Sequence, residues 1–183
     1  MHGSPAHIHS SSISTGDDNV AMHANDTLVE DCQFGTGHGA SIGSLGDGTY
    51  LQNITVRACS FAGTTTALRI KADNASSGAL RDVAFRDLAL TDCGATLAIG
   101  STYPASGGPS GSTLRISGVS YVNITSARAG AAGALLCSRL TPCSGLLLAG
   151  VVHAPPPQAG WQCENARGQA QGEVTPPLGA CLG

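Results

Sequence analysis

Short apolar segments recur along this chain at a spacing of roughly 26–33 residues, which lies within the range of repeats that stack into solenoids. Gly, Asn, Asp and Ser separate the segments, and no 3.6-residue periodicity persists, so the pattern favours strands over helices. One set of segments comprises Thr27–Glu30, Asn53–Arg57, Asp82–Arg86, Leu114–Ser117 and Gly145–Ala149. A second set comprises Asn19–Met22, Ala40–Ser44, Ala67–Lys71, Thr96–Gly100 and Gly133–Cys137. We therefore expect an all-β fold, a right-handed parallel β-helix of about five or six coils, in which each coil buries its inward side chains against its neighbours.

Two segments interrupt this repeat. Pro104–Ser112 reads as an inserted loop, and the chain from Ala154 onward is rich in Pro and Gly. The expected organisation is β-helix coils over residues 1–153 and a C-terminal cap over residues 154–183. On the strand pattern alone, a β-sandwich is the alternative architecture.

The composition excludes several classes of function. Charged residues make up 11% of the chain, and the formal net charge is −3 with no basic block, so a nucleic-acid partner is not expected. The longest apolar run, Gly145–Val152, is far shorter than the roughly 18 residues that indicate a membrane span, and fits a buried strand. The sequence offers no pattern that predicts a metal ion or another cofactor, and a monomer is expected.

The cysteines indicate the compartment. The first twelve residues, MHGSPAHIHSSS, show no signal-peptide pattern. Seven cysteines and four Asn-x-Ser/Thr sequons, at Asn25, Asn53, Asn74 and Asn123, nevertheless suit an oxidising secretory route. We therefore expect a secreted, extracellular protein whose true N-terminus lies upstream. Because seven is odd, at least one thiol is free or pairs outside the chain.

Four local clusters carry side chains suited to chemistry. The pair Asp17 and Asp18 precedes a predicted strand, where adjacent carboxylates resist joint ionisation unless they face water or act on a ligand. His38 follows Gly37 and precedes another glycine, so backbone can approach a ligand closely there. Each cluster has an ordinary alternative: a solvated turn for the aspartates and a turn that happens to contain histidine.

The other two clusters lie on later strands. Alternation along Leu68–Lys71 places Arg69 and Lys71 on one face with Ile70 inside, and two cations on one face suit a carboxylate-bearing substrate, although an ordinary amphipathic strand shows the same pattern. Tyr103 follows the strand Thr96–Gly100. Since equivalent positions of successive coils stack about 4.8 Å apart, the four clusters are expected to line one groove.

The order of these clusters resembles glycoside hydrolase family 28, the polygalacturonases. The segments STGDDNVAM, GTGHGASIGSLG and LRIK, with the later Tyr103, are similar to the signature blocks of that family, and LLCSRLTPCSGLLLAGV resembles its plant-type branch. The resemblance implies a pectin lyase-like β-helix that cleaves α-1,4-galacturonan, or pectin, of the cell wall by inverting acid–base hydrolysis. It also implies roles for single residues: Asp17 as general acid, Asp18 as part of the base, His38 as a group that tunes the acid or holds the sugar, Gly37, Arg69 and Lys71 as substrate-binding, and Tyr103 as part of the central subsite.

Two departures from the family pattern bear on activity. The family carries an Asn-Thr-Asp block some twenty residues before the aspartate pair, which this sequence lacks, so we expect the C-terminal half of such an enzyme and very weak hydrolysis by these residues alone. Asn19 stands where the family usually has a cysteine, and the usual partner of that cysteine corresponds to Cys32.

The remaining cysteines allow two predicted disulfides. Cys137 and Cys143 flank a short turn that contains proline, and Cys163 and Cys181 would fasten the terminal segment. Both pairs have counterparts in the family.

Three other functions remain open. The first is a catalytically inactive galacturonan-binding β-helix protein, and the second is a purely structural wall protein, which would not need the Arg69 and Lys71 pair. A pectate lyase would need an acidic calcium-binding cluster and is less favoured.

Overall fold

The computed structural model describes residues 5–103 and 111–183, and within them the chain forms strands and turns without a helix. Fifteen strands follow one another, and several are much longer than the segments that the sequence predicts. The first eight are β1 Ala6–His9, β2 Ser12–Ile13, β3 Val20–Met22, β4 Thr27–Glu30, β5 Gln33–Phe34, β6 Ala40–Leu45, β7 Thr49–Ala62 and β8 Thr66–Asp73. The remaining seven are β9 Gly78–Thr91, β10 Ala95–Tyr103, β11 Arg115–Ala127, β12 Ala131–Leu136, β13 Cys143–His153, β14 Ala159–Glu164 and β15 Ala166–Val174.

The strands form two sheets in which all pairs are parallel. The larger sheet has the order β1-β4-β7-β9-β11-β13-β15, with β2 and β5 beside it, and the smaller has the order β14-β12-β10-β8-β6-β3. Each strand inside a sheet therefore pairs with its counterparts in the coil before and the coil after, and the end strands pair on one side only. This is a parallel β-helix, and the two predicted sets of segments correspond to the two sheets.

The strands of the larger sheet are longer than predicted because they turn corners without losing their pairing. β7 has left-handed backbone at Asn53 and Ala58, and β9 has it at Asp82 and Asp87. Asn and Asp tolerate this conformation better than other residues with a side chain. A polar residue that would normally mark a strand end thus lies inside a continuous strand. One predicted segment was misplaced for this reason, since Leu114–Ser117 spans only the start of β11.

Inward side chains of successive coils stack to form the core. Phe34 lies against Phe61, with ring centroids 4.8 Å apart, and Phe85 lies against Tyr121 at 5.2 Å. The register pairs the same residues across their strands, so the aromatic stacks follow directly from the parallel ladder. Such ladders hold neighbouring coils in a fixed register and thereby fix the loops at the edges of the sheets.

The repeat continues beyond residue 153. β14 pairs with β12 and β15 pairs with β13, and most side chains of β15 are exposed. Disulfides join Cys137 to Cys143 and Cys163 to Cys181. The division into coils and a cap at residue 154 stays a prediction, and any such cap includes a strand of each sheet.

The predicted insertion at Pro104–Ser112 falls largely outside the described residues, which resume at Gly111. The strand pairing shows the effect of this insertion. Leu97 of β10 pairs with Leu68 of the preceding coil and with Gly133 of the following coil, and Gly133 lies farther from Leu97 along the sequence than Leu68 does. The described part of the chain contains no helix that is long and apolar enough to cross a membrane.

Candidate active site

The predicted site residues other than Tyr103 meet at the smaller sheet, in the turns before β3 and β6 and in the middle of β8. Asp17 and Asp18 lie in the turn before β3, and His38 lies in the turn before β6. Arg69 and Lys71 lie in β8, where the register places them opposite Ser41 and Gly43 of β6. Three successive coils thus contribute side chains to one cluster.

Asp17 and His38 form a hydrogen-bonded pair at the surface. The Nδ1 atom of His38 lies 2.8 Å from Oδ1 of Asp17, and the backbone N–H of His38 donates to the carbonyl oxygen of Asp17 at 2.8 Å. The side chain of Asp17 is 86% exposed. The backbone N–H of Asp18, and next the His38 ring, stabilise its carboxylate and lower the pKa of Asp17. Near neutral pH, Asp17 is therefore ionised rather than poised to donate a proton.

Asp18 is held by three side chains. Lys71 donates to Oδ2, Arg69 approaches Oδ1 at 3.3 Å, and the hydroxyl of Ser41 donates to Oδ1 at 2.7 Å. The side chains of Asp18, Arg69 and Lys71 are only 8–16% exposed, so this is a largely desolvated ion-pair network. The sequence predicts two cations facing a ligand, whereas the structure shows that both already neutralise an acidic residue of the chain itself.

Gly37 is predicted from the sequence to let backbone approach a ligand, and the structure shows a steric reason for glycine at this position. Its φ is +147°, and a Cβ atom there would lie 2.6 Å from the amide oxygen of Asn19 and 2.7 Å from the hydroxyl of Thr15. A side chain at this position would therefore displace the turn that carries Asp17. The glycine positions the two site loops against each other.

Asn19 is a positioning residue whose partners the sequence does not show. Its amide donates to the carbonyl oxygens of Ile13 and Thr36 at 3.1 Å, and its amide oxygen accepts from the N–H of Gly39 at 2.8 Å. This buried side chain links the aspartate turn to the histidine turn. The resemblance implies that Cys32 corresponds to the usual partner of a cysteine at the position of Asn19. The thiol of Cys32 instead donates to backbone carbonyl oxygens, including that of Glu30 at 3.2 Å.

The structure leaves Cys32, Cys59 and Cys93 as buried free thiols. Burial raises the pKa of the Cys59 thiol to about 11, so it is uncharged near neutral pH.

Ser41 is, after Asn19, the second residue of the site that the sequence did not predict. Its position beside Arg69, one coil earlier, could be found only by knowing the register.

Tyr103 is described only as backbone. It ends β10 and pairs with Asp73 of β8 after a register shift that begins at Gly100. Its side chain lies outside the described part of the structure, so its predicted place in the central subsite stays a prediction.

Asp17, Asp18 and His38 each offer an oxygen or nitrogen atom within 4.8 Å of the others. Such a group has the donor types for a hard cation. The positive charges of Lys71 and Arg69 on Asp18 oppose a further cation there, so the donor set is poorly suited to a metal ion. The same spacing is also shorter than the roughly 6.5–9.5 Å that separates the two carboxyl groups of an inverting glycosidase.

The model of glycosyl hydrolases family 28 matches residues 1–173. This chain belongs to glycosyl hydrolase family 28. A probable polygalacturonase of Arabidopsis thaliana is 30% identical over 93% of the chain, and a polygalacturonase of Malus domestica is 31% identical over 92%. The resemblance inferred from the aspartate, histidine and arginine–lysine segments is thereby confirmed.

Solved structures of polygalacturonases have the same fold. The polygalacturonase of Erwinia carotovora superimposes with a TM-score of 0.74 at 27% identity, covering 89% of this chain and 43% of its own. Endopolygalacturonase I of Stereum purpureum, solved with two galacturonates, superimposes with a TM-score of 0.72 at 21% identity over 91% of this chain. The right-handed parallel β-helix predicted from the sequence is thus confirmed.

The chain spans only part of its relatives. It covers 41% of the Arabidopsis protein and 38% of the Malus protein. For these residues, the activity of the whole proteins of this family is therefore a proposal.

Proposed function

We propose that the cluster at the smaller sheet is the acid-donating and substrate-binding part of a polygalacturonase site that cleaves α-1,4-linked galacturonan by inverting hydrolysis. The observation that carries the proposal is the meeting of Asp17, His38, Arg69 and Lys71, from three coils, in a protein of this family.

The cations supply the specificity for an acidic sugar. Arg69 and Lys71 both lie beside Asp18 in a largely buried ion-pair network. A galacturonate carboxylate bound at this network receives charge-assisted hydrogen bonds from the two cationic side chains. Arg69 also donates to the carbonyl oxygen of His38 at 3.4 Å, which ties the cationic strand to the loop of the proposed acid.

Binding of an anionic substrate also favours the protonated form of Asp17. A carboxylate brought near Asp17 disfavours its charge and raises its pKa, the reverse of the effect of the Asp18 N–H and the His38 ring. In this mechanism the substrate itself brings about protonation of its general acid. Transfer of that proton from Asp17 to the glycosidic oxygen releases the leaving sugar.

The base is the incomplete part of the mechanism. Asp18 is too close to Asp17 and too firmly held by Lys71 to act alone as the carboxylate that activates water. We propose that Asp18 orients the cations and shares the base role with a carboxylate of the Asn-Thr-Asp block, which these 183 residues do not contain.

Calorimetric titration with trigalacturonate tests the substrate class. We expect binding that the double substitution Arg69→Gln and Lys71→Gln weakens by at least about tenfold, since charge-assisted bonds to a carboxylate are lost. A matched control, Arg86→Gln and Arg128→Gln, removes two surface charges at a distance from the cluster. Equal affinity of the cluster variant and the native chain would contradict the proposal.

A second candidate is a galacturonan-binding protein without catalysis. It is favoured by the observation that Asp18, the proposed partner of the acid, is locked by Lys71, Arg69 and Ser41. Reducing-sugar release separates the two candidates, because the binding protein would retain trigalacturonate affinity and release no new reducing ends.

We further propose that the protein acts as a secreted monomer at the cell wall. The two disulfides, at Cys137–Cys143 and Cys163–Cys181, suit an oxidising compartment. Recovery of the protein only from cell extracts, with all seven cysteines reactive to a thiol reagent under denaturing conditions, would contradict secretion.

A further inference from the structure

A second groove lies on the larger sheet, formed by outward positions near the starts of β7, β9, β11 and β13. Its volume is about 570 Å³. Six residues matter for the argument: Tyr50, Ala79, Arg81, Arg115, Pro142 and Ser144. None of them belongs to the candidate active site, whose residues lie at the smaller sheet.

The register explains how the groove forms. Tyr50 pairs with Ala79, and Ala79 pairs with Arg115, so these three form one outward column. Leu80 and Ile116, the residues that follow Ala79 and Arg115, point inward and are buried. The small side chain of Ala79 leaves a gap between Tyr50 and Arg115, which lie two strands, or about 9.6 Å, apart.

Two arginines give the groove a positive charge. Within residues 5–103 and 111–183, no carboxylate forms an ion pair with Arg81 or Arg115, whereas Arg57, Arg86 and Arg128 each pair with one. Arg81 donates to the amide oxygen of Gln52. The nearest acidic residue in sequence, Asp82, is at a corner of the strand, where its carboxylate faces Gly118.

Tyr50 adds an aromatic surface beside these cations. It is 62% exposed and, with Leu140, is one of two large apolar side chains exposed in the described part of the chain. Leu140 belongs to the same turn as Thr141 and Pro142, which form the rim opposite Tyr50. The groove thus combines an apolar face, a floor of small residues and two arginines.

We propose that this groove binds a stretch of acidic polysaccharide, with a uronate ring against Tyr50 and carboxylates at Arg81 and Arg115. The apolar face of a pyranose ring packs on an exposed aromatic side chain, and arginine binds carboxylates through paired N–H donors. The ligand class rests on the proposed function, but the site is separate: it holds the polymer while another stretch reaches the cluster of Asp17 and His38. A flat acidic protein surface fits less well, because the floor of the groove is recessed.

Affinity electrophoresis in gels containing polygalacturonate tests this site on the chain as it is. We expect Arg81→Gln with Arg115→Gln to weaken retention by roughly three- to tenfold, and Tyr50→Ala alone by a similar factor. The control Arg128→Gln with Arg167→Gln makes the same change in net charge elsewhere and should leave retention within about twofold. Circular dichroism of each variant checks that the strand signal is unchanged.

The outcomes separate this site from the proposed active site. Loss of polymer retention in the Arg81 and Arg115 variant, with trigalacturonate binding at Arg69 and Lys71 intact, supports the groove. Unchanged retention in that variant and in Tyr50→Ala overturns it, even if Arg69→Gln with Lys71→Gln abolishes binding. Equal retention in gels containing an uncharged glucan also overturns it, since the arginines would then recognise no carboxylate.

Discussion

At the scale of single residues, the hydroxyl of Tyr121 is an unusual feature of the core. It is buried without a hydrogen-bond partner in the described chain, while its ring stacks on Phe85. A buried polar group left unpaired costs about 1–3 kcal/mol. The stack that holds the ring does not require the hydroxyl.

We therefore expect Tyr121→Phe to raise the free energy of unfolding by about 1 kcal/mol. Urea denaturation followed by circular dichroism measures the change. Tyr50→Phe, made at an exposed tyrosine, is the matched control and should change stability little. A loss of stability in Tyr121→Phe would mean that the hydroxyl has a partner, such as a buried water.

His153 predicts how stability depends on pH. Its ring is buried and faces Thr96, Thr175 and the edge of Trp161, with no carboxylate among these partners. Burial lowers the pKa of His153 below its ordinary value of about 6.5. As the pH falls through that ordinary value, the unfolded chain takes up the proton first, so the folded state loses stability in acid.

Melting temperatures measured between pH 8 and pH 5 test this expectation. The native chain should lose stability below about pH 6.5, and His153→Gln should lose less over the same range. His23→Gln, at an exposed histidine, should follow the native profile. Parallel profiles for the native chain and His153→Gln would show that other groups control the acid response.

At the scale of the elements, coil stacking depends on backbone contacts as well as on the core. Gly78, at the start of β9, has a φ of +102°, and a Cβ atom there would lie 1.9 Å from the carbonyl oxygen of Thr49 in β7. Neither backbone can move without breaking the ladder between the two strands. Gly100 in β10 offers the opposite case, since a Cβ atom there meets nothing within 4 Å.

Gly78→Ala should therefore lower the free energy of unfolding by about 3 kcal/mol, from the strained φ and the steric overlap together. Gly100→Ala should be neutral or slightly stabilising, because alanine restricts the unfolded chain. Thermal denaturation of both variants measures the difference. Equal melting temperatures would contradict the close approach of β7 and β9.

The elements also show what the sequence can and cannot predict. The five predicted segments of the smaller sheet each overlap a strand, β3, β6, β8, β10 or β12, whereas β14, the sixth strand of that sheet, was not predicted. The ends of β7, β9 and β11 were missed because Asn53, Asp82 and Gly118 bend a strand without ending it. The parallel register could be anticipated from the repeat, yet the contact of Ser41 with Asp18 needed the register to the residue.

At the scale of the whole molecule, the order of the candidate residues along the solenoid predicted that they lie close together. The repeat places Asp17, His38 and Lys71 on adjacent coils, and the structure brings them together. Their charge state could not be predicted. Whether Lys71 faces a ligand or Asp18 depends on side-chain geometry, and the lowered pKa of Asp17 depends first on the backbone N–H of Asp18 and next on the His38 ring.

Reducing-sugar release from polygalacturonate, measured for the chain joined to the preceding segment of a relative that carries the Asn-Thr-Asp block, tests the central claim most directly. We expect the joined protein to release reducing ends, and the 183 residues alone to release several orders of magnitude fewer, since catalytic groups that act together fail together. Asp17→Asn in the joined protein should abolish release, while Arg167→Gln should leave it unchanged. Robust release that persists in Asp17→Asn would contradict the assignment of Asp17 as the acid and the account of this site.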